Sequence, residues 1–254
     1  MAMEERKKLA VLIDADNISP ALCDALIQEV AKYGVASVKR AYGDWTTPQL
    51  TSWKAMLHEY AISPMQQFSY TSGKNSTDSS MIIDAMDLLY TEKFDGFCLV
   101  TSDSDFTKLA TRIRESGLVA YGFGEKKTPG SLQAACDKFV FLEALVVPSS
   151  ESNGKEGAKP AAKERKSKKQ LNQDAKLISL IRGAVEATSD DAGWANISAV
   201  GAHISNQSSF DSRNYGYRKL STLIETTELF DMQKRNPRGN NTFDLYIRDK
   251  RFTE

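Results

Sequence analysis

Acidic residues stand directly after two apolar runs of the sequence, at positions where carboxylates could bind a cation. Asp14 follows the run Leu9–Ile13, and Asp103 and Asp105 follow the run Gly96–Thr101. Clustered carboxylates repel one another unless a cation neutralises them. Hard oxygen ligands favour Mg²⁺ or Mn²⁺, and such an ion activates water and offsets phosphate charge. The pattern therefore predicts hydrolysis of phosphodiester bonds.

A third acidic segment places Asp78 in the first turn of a predicted helix, Thr77–Tyr90. Each of these residues also has a purely structural explanation. Asp103 or Ser104 is a suitable helix cap, and Asp78 would complement a helix dipole. The convergence of three segments on one sheet edge favours a site over three independent caps. Weaker candidates in the same region are Asp16, Asp44 and Asp84.

The apolar patterning predicts the elements that must position these carboxylates. Buried apolar runs indicate strands over 9–13, 35–42, 62–70, 96–101, 118–123 and 139–142. Helical spacing predicts helices over 20–33, 49–60, 77–90 and 106–115. Alternating strands and helices predict an α/β fold, with a parallel sheet between two helical layers. Ligands of such sheets bind beyond the carboxyl ends of the strands, where the aspartates lie.

Composition limits the classes of protein that this chain can be. Its 254 residues suffice for two domains, and the hydrophobic fraction of 41% is that of a globular protein. No apolar run approaches the ~20 residues of a membrane span, and the N-terminal residues do not resemble a secretory signal. Residues 1–153 hold 15 Lys+Arg against 20 Asp+Glu, which makes the front of the chain acidic.

The metal-binding side chains available are mainly carboxylates, because the chain has only two histidines and three cysteines. Cys23, Cys98 and Cys136 are far apart and lie inside apolar patterns. They are therefore expected to be buried free thiols, as in a reducing cytoplasm, and not disulfides or zinc ligands.

A change of composition separates the two predicted domains. Residues 148–169 are rich in Ser, Gly, Lys and Glu, which predicts a flexible basic linker between domains at 1–147 and 170–254. In the second domain, three helices are expected around 177–185, 197–204 and 217–225. Strands are expected over 230–235 and 242–248, so the pattern predicts a winged helix-turn-helix.

The acidic segments resemble a known family. The spacings Asp14-x-x-Asn17, Lys74-x-x-x-Asp78 and Thr101-Ser-Asp-Ser-Asp-Phe106 are similar to those of the NYN domain, a PIN-like nuclease branch. The resemblance implies a PIN-like fold and a metal-dependent ribonuclease with Asp14, Asp78, Asp103 and Asp105 around Mg²⁺ or Mn²⁺. It also implies that Asn17 hydrogen-bonds within the site and that Ser102 positions the loop or a phosphate. Ser104 departs from the family pattern, where many relatives have glycine.

The C-terminal residues resemble the OST-HTH/LOTUS domain. The resemblance lies in Gly193-Trp-Ala-Asn-Ile-Ser-Ala-Val-Gly201, Phe210, Tyr215-Gly-Tyr-Arg-Lys-Leu220 and Phe230. It implies binding of single-stranded or structured RNA, or docking of a protein partner. The candidate RNA-binding residues are Arg213, Tyr217, Arg218, Lys219, Lys234, Arg235 and Arg238. Trp194 is expected in the core, whereas the sequence leaves open whether Tyr217 is a core residue or stacks on bases.

Two functions from different classes follow from this sequence. The first is hydrolysis of RNA by a metal-dependent ribonuclease whose winged helix retains the substrate. The second is a catalytically silent RNA-binding regulator on a nuclease fold. A haloacid-dehalogenase phosphatase ranks last, because Ile18 stands where that signature expects Thr or Ser after Asp14-x-Asp16. The sequence does not determine the oligomeric state.

Overall fold

The computed structural model describes residues 6–68, 76–145, 165–236 and 243–252, without the side chains of residues 76–78. The chain divides into two compact units, residues 1–147 and 148–254. Most of the predicted linker lies outside the described residues. Within the described ranges, no helix has the length and apolar character needed to cross a membrane.

Unit 1 is a six-stranded parallel sheet with helices packed on both faces. Its strands are β1 Lys8–Asp14, β2 Val35–Gly43, β3 Ser63–Gln66, β4 Gly96–Val100, β5 Val119–Gly124 and β6 Lys138–Phe141. Its helices are α1 Cys23–Val30, α2 Trp53–Glu59, α3 Ser76–Tyr90, α4 Thr107–Glu115 and α5 Gly130–Ala135. The strand order is β3-β2-β1-β4-β5-β6, and every neighbouring pair is parallel. This confirms the predicted three-layer α/β architecture.

Two separate hydrophobic cores lie on opposite faces of the sheet, and β1 contributes to both. Its alternate residues Val11 and Ile13 pack into the core that contains α1 and α2. Ala10 and Leu12 pack into the core that contains α3 and α4. Fully burying an aliphatic side chain of this size contributes ~1.5–3 kcal/mol. The continuous apolar run therefore corresponds to a strand that is buried on both faces. Asp14 is the last residue of this strand.

The structure corrects several predicted boundaries of unit 1. The helix expected over 20–33 begins as a 3-10 turn at Pro20–Leu22, and α1 ends at Val30. The strand expected over 62–70 is shorter, because β3 ends at Gln66. Helix α5 was not predicted, since six residues are too few to show helical periodicity.

Unit 2 consists of helices around a three-stranded antiparallel sheet. Its elements are α6 Lys168–Gln173, α7 Ala175–Thr188, β7 Ala195–Asn196, α8 Ile197–Gln207, α9 Leu220–Thr227, β8 Phe230–Arg235 and β9 Asp244–Asp249. The strands are ordered β7-β9-β8. Ile181, Val200, Leu223 and Ile247 meet in the core. The hairpin β8–β9 and the helices α7, α8 and α9 match the predicted winged helix.

Helix α6 begins within the segment that was predicted as a linker. The linker was expected to extend to residue 169, but Ser167 caps α6 in a reciprocal pair with Gln170. The third helix was expected from Tyr217, but α9 begins at Leu220. Gly216 has a φ of 86° and ends a 3-10 turn there, which keeps Tyr217 out of the helix.

The three cysteines are buried and free, as predicted. Burial raises the pKa of the Cys23 thiol to about 11 and that of the Cys136 thiol to about 12. Burial also raises the pKa of Cys98. Thiols of this kind stay protonated and are unreactive packing groups.

Candidate functional site

The carboxyl ends of β1 and β4 lie side by side at the point where the strand order reverses. These strands pair in register, with Ile13 opposite Val100. The next residue of each strand, Asp14 and Thr101, therefore projects from the same edge of the sheet. Open parallel sheets bind their ligands in the crevice at such a reversal. The segment that carries Asp14 and the segment that carries Asp103 and Asp105 are thus brought together by the topology of the sheet.

Asp14 is a buried carboxylate with one oxygen engaged and one oxygen free. Its side chain is 1% exposed. Asn17 Nδ2 donates to its Oδ2 at 2.8 Å, and Thr101 Oγ1 donates to the same atom at 2.9 Å. The other oxygen, Oδ1, is buried without a hydrogen-bond partner among the described residues. Burial raises the pKa of Asp14, although the hydrogen bonds from Asn17 and Thr101 oppose that effect.

Thr101 connects Asp14 to the loop that carries the next two aspartates. It is 0% exposed. Its hydroxyl donates to Asp14 and accepts a hydrogen bond from the backbone N–H of Asp103 at 3.1 Å. Thr101 belongs to one of the family-like motifs, but no role in the site was predicted for it. A motif shows which residue types occur, whereas the partner of this hydroxyl lies 87 positions earlier in the chain.

Asp103 and Asp105 lie on the turn that follows β4. Asp103 caps the 3-10 turn Ser104–Phe106, and its Oδ1 accepts from the backbone N–H of Asp105 at 3.0 Å. This is the structural alternative that the sequence suggested for Asp103, and it leaves the second carboxylate oxygen available. Asp105 is exposed. Phe106 is fully buried and anchors the turn in the core.

Ser102 holds this loop to the neighbouring strand. Its Oγ accepts from the backbone N–H of Glu125 at 2.9 Å, at the end of β5. Of the two roles implied for Ser102, this contact supports positioning of the loop. The Asp14–Thr101–Asp103 network and the Ser102 contact therefore fix the backbone that carries the acidic side chains.

Asp78 lies in the first turn of α3, and its side chain is outside the described residues. Helix α3 packs against β1 and against the 3-10 turn Ser104–Phe106. Among the described side chains, no group of three or more acidic, histidine or cysteine residues could hold a metal ion. The four-carboxylate site therefore stays a prediction.

Asp84, a weaker candidate from the sequence, has a structural role. Its carboxylate accepts hydrogen bonds from the Arg40 guanidinium and the Tyr42 hydroxyl, both on β2. Burial, together with the bond to Asp84, raises the pKa of the Tyr42 hydroxyl. Since Tyr42 pairs with Asp14 across the sheet, this cluster fixes α3 beside the candidate site. Asp84 thus orients the helix and is already occupied by its own partners.

The other weak candidates lie beside the site. Asp16 is exposed and its carboxylate approaches Gly43. Asp44 directly follows β2. Its Oδ1 accepts hydrogen bonds from the backbone N–H of Thr46 at 3.2 Å and from Gln66 Nε2 at 2.9 Å. Asp44 therefore stabilises a turn at the rim of the sheet edge.

Several candidate RNA-binding residues of unit 2 have partners within their own domain. The Arg213 guanidinium donates to Asp211 through Nε at 3.0 Å and Nη2 at 2.8 Å. Tyr217 is 4% exposed, and its hydroxyl donates to the Lys166 carbonyl at 2.7 Å. The open question about Tyr217 is resolved in favour of the core, because a buried ring cannot stack on a base.

The wing contains a layered group of arginines and aromatic rings. The Arg235 guanidinium lies 5.0 Å from the Trp194 ring centre and 4.5 Å from that of Tyr246. Arg248 lies 4.8 Å from the Trp194 ring centre. Trp194 is therefore half-buried between two cations, not enclosed in the core as expected. The burial pattern along the sequence could not reveal this, since the two arginines are far away in the chain.

The remaining candidate cations are exposed. Arg218 and Lys219 precede α9, and Lys234 lies on β8. Exposed cations of this kind are free to approach phosphates. Arg238 and Lys74 lie outside the described residues. The tertiary structure therefore narrows the RNA-binding candidates of unit 2 to fewer side chains than the sequence proposed.

Comparisons with known proteins agree with the two-unit architecture. The family model of the NYN domain matches residues 8–143, and that of the OST-HTH/LOTUS domain matches residues 170–242. A comparison with curated proteins gives no match.

Solved structures similar to this chain include three bacterial proteins. One is a protein of unknown function from Vibrio parahaemolyticus, with 19% identity, a TM-score of 0.48, and coverage of 56% of this chain and 96% of that chain. The second, an uncharacterized protein from Nitrosomonas europaea, has 34% identity, a TM-score of 0.30, and coverage of 41% and 96%. The third, from Chromobacterium violaceum, has 30% identity, a TM-score of 0.26, and coverage of 31% and 84%.

The identification depends on the two family matches, and each of them coincides with one structural unit. The first match spans β1 to β6 and includes Asp14, Asp78, Asp103 and Asp105. The second spans α7 to β8 and ends before β9. This chain therefore belongs to the NYN domain family, a branch of the PIN-like nuclease superfamily, and carries an OST-HTH/LOTUS domain after it.

Proposed function

We propose that this protein is a metal-dependent ribonuclease whose winged-helix unit retains the RNA. The observation that supports the proposal most is the buried, half-satisfied carboxylate of Asp14 at the strand-order reversal of an NYN domain. Buried polar atoms are normally paired, so an unpaired one calls for an explanation, of which a bound ion is one. The free Oδ1 of Asp14 is suited to a cation.

By chemical type, the aspartates of the candidate site suit a hard divalent cation. Asp14, Asp78, Asp103 and Asp105 would hold Mg²⁺ or Mn²⁺, because carboxylate oxygens are the ligands that these ions prefer. When bound, such an ion lowers the pKa of water and offsets the negative charge of a scissile phosphate. PIN-like nucleases generally use divalent metals.

The side chains around Asp14 supply preorganisation. Asn17 and Thr101 both donate to Oδ2, which fixes the carboxylate plane and leaves Oδ1 directed away from these donors. Ser102 holds the loop to β5, and Phe106 anchors it in the core. Ligands held in this way lose little conformational freedom on binding an ion or a phosphate.

The winged-helix unit would retain RNA through its exposed cations. Arg218, Lys219 and Lys234 are positioned for contacts with phosphates, which give affinity without sequence preference. The acidic balance of residues 1–153 repels a polyanion unless metal is bound, so a separate binding unit would raise the local concentration of substrate.

A cleavage assay with Mn²⁺ on single-stranded and structured RNA tests the proposal. Asp14→Asn and Asp103→Asn should each reduce the rate more than about 100-fold, which exceeds the loss typical of an outer-shell change. The matched control is Asp87→Asn, an exposed carboxylate on α3, which should cleave within about twofold of the native protein. Equal activity in the native and Asp103→Asn proteins would remove Asp103 from the site.

A second candidate function is an RNA-binding regulator without turnover. It is favoured by the capping role of Asp103, whose Oδ1 is already used by the backbone of Asp105. Calorimetric titration separates the two functions. Binding of Mn²⁺ below millimolar concentration supports the nuclease, whereas RNA binding without Mn²⁺ binding or cleavage supports the regulator.

A further inference from the structure

A cavity lies at the carboxyl ends of β2 and β3, on the same edge of the sheet as the acidic residues. Its volume is about 620 Å³, and its lining includes Trp45, Thr47, Leu50, Thr51, Lys54 and Gln66. Strands β1, β2 and β3 are consecutive neighbours. Adjacent strands are ~4.8 Å apart, so the cavity begins within about 10 Å of the end of β1.

Leu50, which lines the cavity, and Asp16, in the loop that follows Asp14, both lie close to Gly43. A β-carbon built on Gly43 would come within 2.5 Å of Leu50 Cδ1 and 3.0 Å of Asp16 Oδ1. Glycine at this position therefore allows the Asp14–Asn17 loop and the wall of the cavity to pack together. A strand of RNA that leaves the acidic edge past Asp16 would enter this cavity next.

The indole of Trp45 is fixed in place. Its Nε1 donates to the Met65 carbonyl at 3.0 Å, and its backbone N–H donates to Gln66 Oε1 at 3.0 Å. Gln66 is itself held by a bond from Nε2 to Asp44. A ring held at both its edge and its backbone is a preorganised platform, because little rotamer freedom is lost when a planar group stacks on it.

The chemistry of the lining suits a nucleotide. The charged member, Lys54, is exposed and can approach a phosphate. The Thr51 hydroxyl can bond a base edge or a ribose, whereas the Thr47 hydroxyl donates to the Asp44 carbonyl at 2.7 Å and can only accept a further bond. Stacking on an aromatic ring accepts any base, since every base has a π face. The cavity therefore combines a stacking platform, a cation and hydrogen-bonding groups.

We propose that this cavity is a subsite that binds one nucleotide of the RNA strand next to the cleavage position, with its base on Trp45 and its phosphate near Lys54. The inference rests on the proposed function, because the direction of the strand is set by cleavage at the acidic edge. It adds a binding determinant in unit 1 that is independent of the winged helix.

Steady-state cleavage of a short RNA by the full chain with Mn²⁺ tests the subsite. Trp45→Ala should raise KM about tenfold with kcat within twofold, whereas Trp45→Phe should retain most of the affinity. Lys54→Ala should raise KM about threefold and leaves packing unchanged. The control is Lys93→Ala, an exposed lysine before β4 at the opposite edge of the sheet, which should leave KM unchanged.

RNAs that lack a single base at successive positions sharpen the test. The penalty of Trp45→Ala should disappear when the missing base lies at one fixed distance from the cut and persist at every other distance. An unchanged KM in both Trp45→Ala and Lys54→Ala, or a penalty equal for every abasic RNA, would overturn the subsite.

The failure of the subsite is distinguishable from failure of the nuclease. If the native protein does not cleave RNA, the proposed function fails. The affinity of the same RNAs, measured by fluorescence anisotropy with Mn²⁺, then still decides the subsite. Weaker binding by Trp45→Ala than by Trp45→Phe supports it, and equal affinity of the native, Trp45→Ala and Lys54→Ala proteins overturns it.

Discussion

The acidic edge of unit 1 and the basic residues of unit 2 differ in how their polar groups are satisfied. Asp14 keeps a buried oxygen without a hydrogen-bond partner among the described residues, whereas Arg213 makes two hydrogen bonds to Asp211. Tyr217 similarly uses its hydroxyl on the Lys166 carbonyl. Unit 1 thus has an unpaired carboxylate oxygen at its candidate site among the described residues. In unit 2, the Arg213 guanidinium and the Tyr217 hydroxyl form hydrogen bonds that stabilise the fold.

The difference shows how to separate binding residues from structural ones of the same chemical type. An unpaired buried oxygen costs folding free energy of ~1–3 kcal/mol, so its persistence points to a ligand. A cation already paired inside its own domain must break that pair to bind RNA. By this criterion Arg218, Lys219 and Lys234 are better candidates for RNA contact than Arg213 or Tyr217.

The largest expected effect is the loss of Mn²⁺ affinity when Thr101 is replaced. Thr101→Val removes the hydroxyl that orients Asp14 and receives the Asp103 N–H, with little change in shape. We expect the affinity for Mn²⁺ to fall about 10- to 100-fold in calorimetric titration. Thr101→Ser keeps the hydroxyl and should bind within a few-fold of the native protein. Equal affinity of the Val and Ser variants would show that the Asp14 contact does not position the site.

An intermediate effect is expected when two arginines of unit 2 are compared. Arg213→Ala leaves the buried Asp211 carboxylate without its cation and should lower the free energy of unfolding by ~1–3 kcal/mol. Arg218→Ala should change that free energy by less than about 0.5 kcal/mol. It should instead weaken RNA binding. The slope of the logarithm of the binding constant against the logarithm of the salt concentration should fall in magnitude by about one.

Thermal unfolding and filter binding at several salt concentrations measure the two effects. The comparison between the units fails if Arg213→Ala weakens RNA binding without loss of stability. It also fails if Arg218→Ala destabilises the fold and leaves the salt dependence unchanged.

The smallest effect expected is a pH dependence of the metal-free protein. Burial raises the pKa of Asp14 above its usual 3.8, so folding favours the neutral carboxyl. The associated stability is complete below the usual pKa and is lost as pH rises through the raised pKa. The loss amounts to ~1.4 kcal/mol for every tenfold difference between the acid dissociation constants of the folded and unfolded states.

Chemical unfolding of the native protein and Asp14→Asn across pH 3 to 8 measures this effect. The native protein should lose stability relative to Asp14→Asn as pH rises, because the variant cannot ionise. Mn²⁺ should restore stability at neutral pH only in the native protein, since binding to the folded state stabilises it. A difference between the two proteins that does not vary with pH would contradict a desolvated Asp14.

The sequence was sufficient for the elements of unit 1 and for the region of its site. The apolar run Leu9–Ile13 indicates a strand that is buried on both faces. The residue after such a strand lies at an edge of the sheet. The position of Asp14 therefore followed from local patterning. Short elements such as α5 did not, because six residues give too few repeats of a helical period.

The hydrogen-bond partners of these side chains could not be predicted from the sequence, because the partners are far apart along the chain. Thr101 and Asp14 are 87 positions apart, and Arg40 and Asp84 are 44 positions apart. Both Asp14 and Asp84 are acidic residues that the sequence offered as candidates. Only the folded chain shows that one oxygen of Asp14 has no hydrogen-bond partner in the described part of the chain, while Asp84 is bound by Arg40 and Tyr42.

By itself, the sequence determined most strands and helices of unit 1 and the family to which the chain belongs, since apolar periodicity and motif spacing are local properties. The tertiary structure alone decided that Tyr217 is buried, that Trp194 lies between two arginines and that a cavity opens beside Trp45. Burial and pairing of these side chains arise from surfaces that only folding brings together.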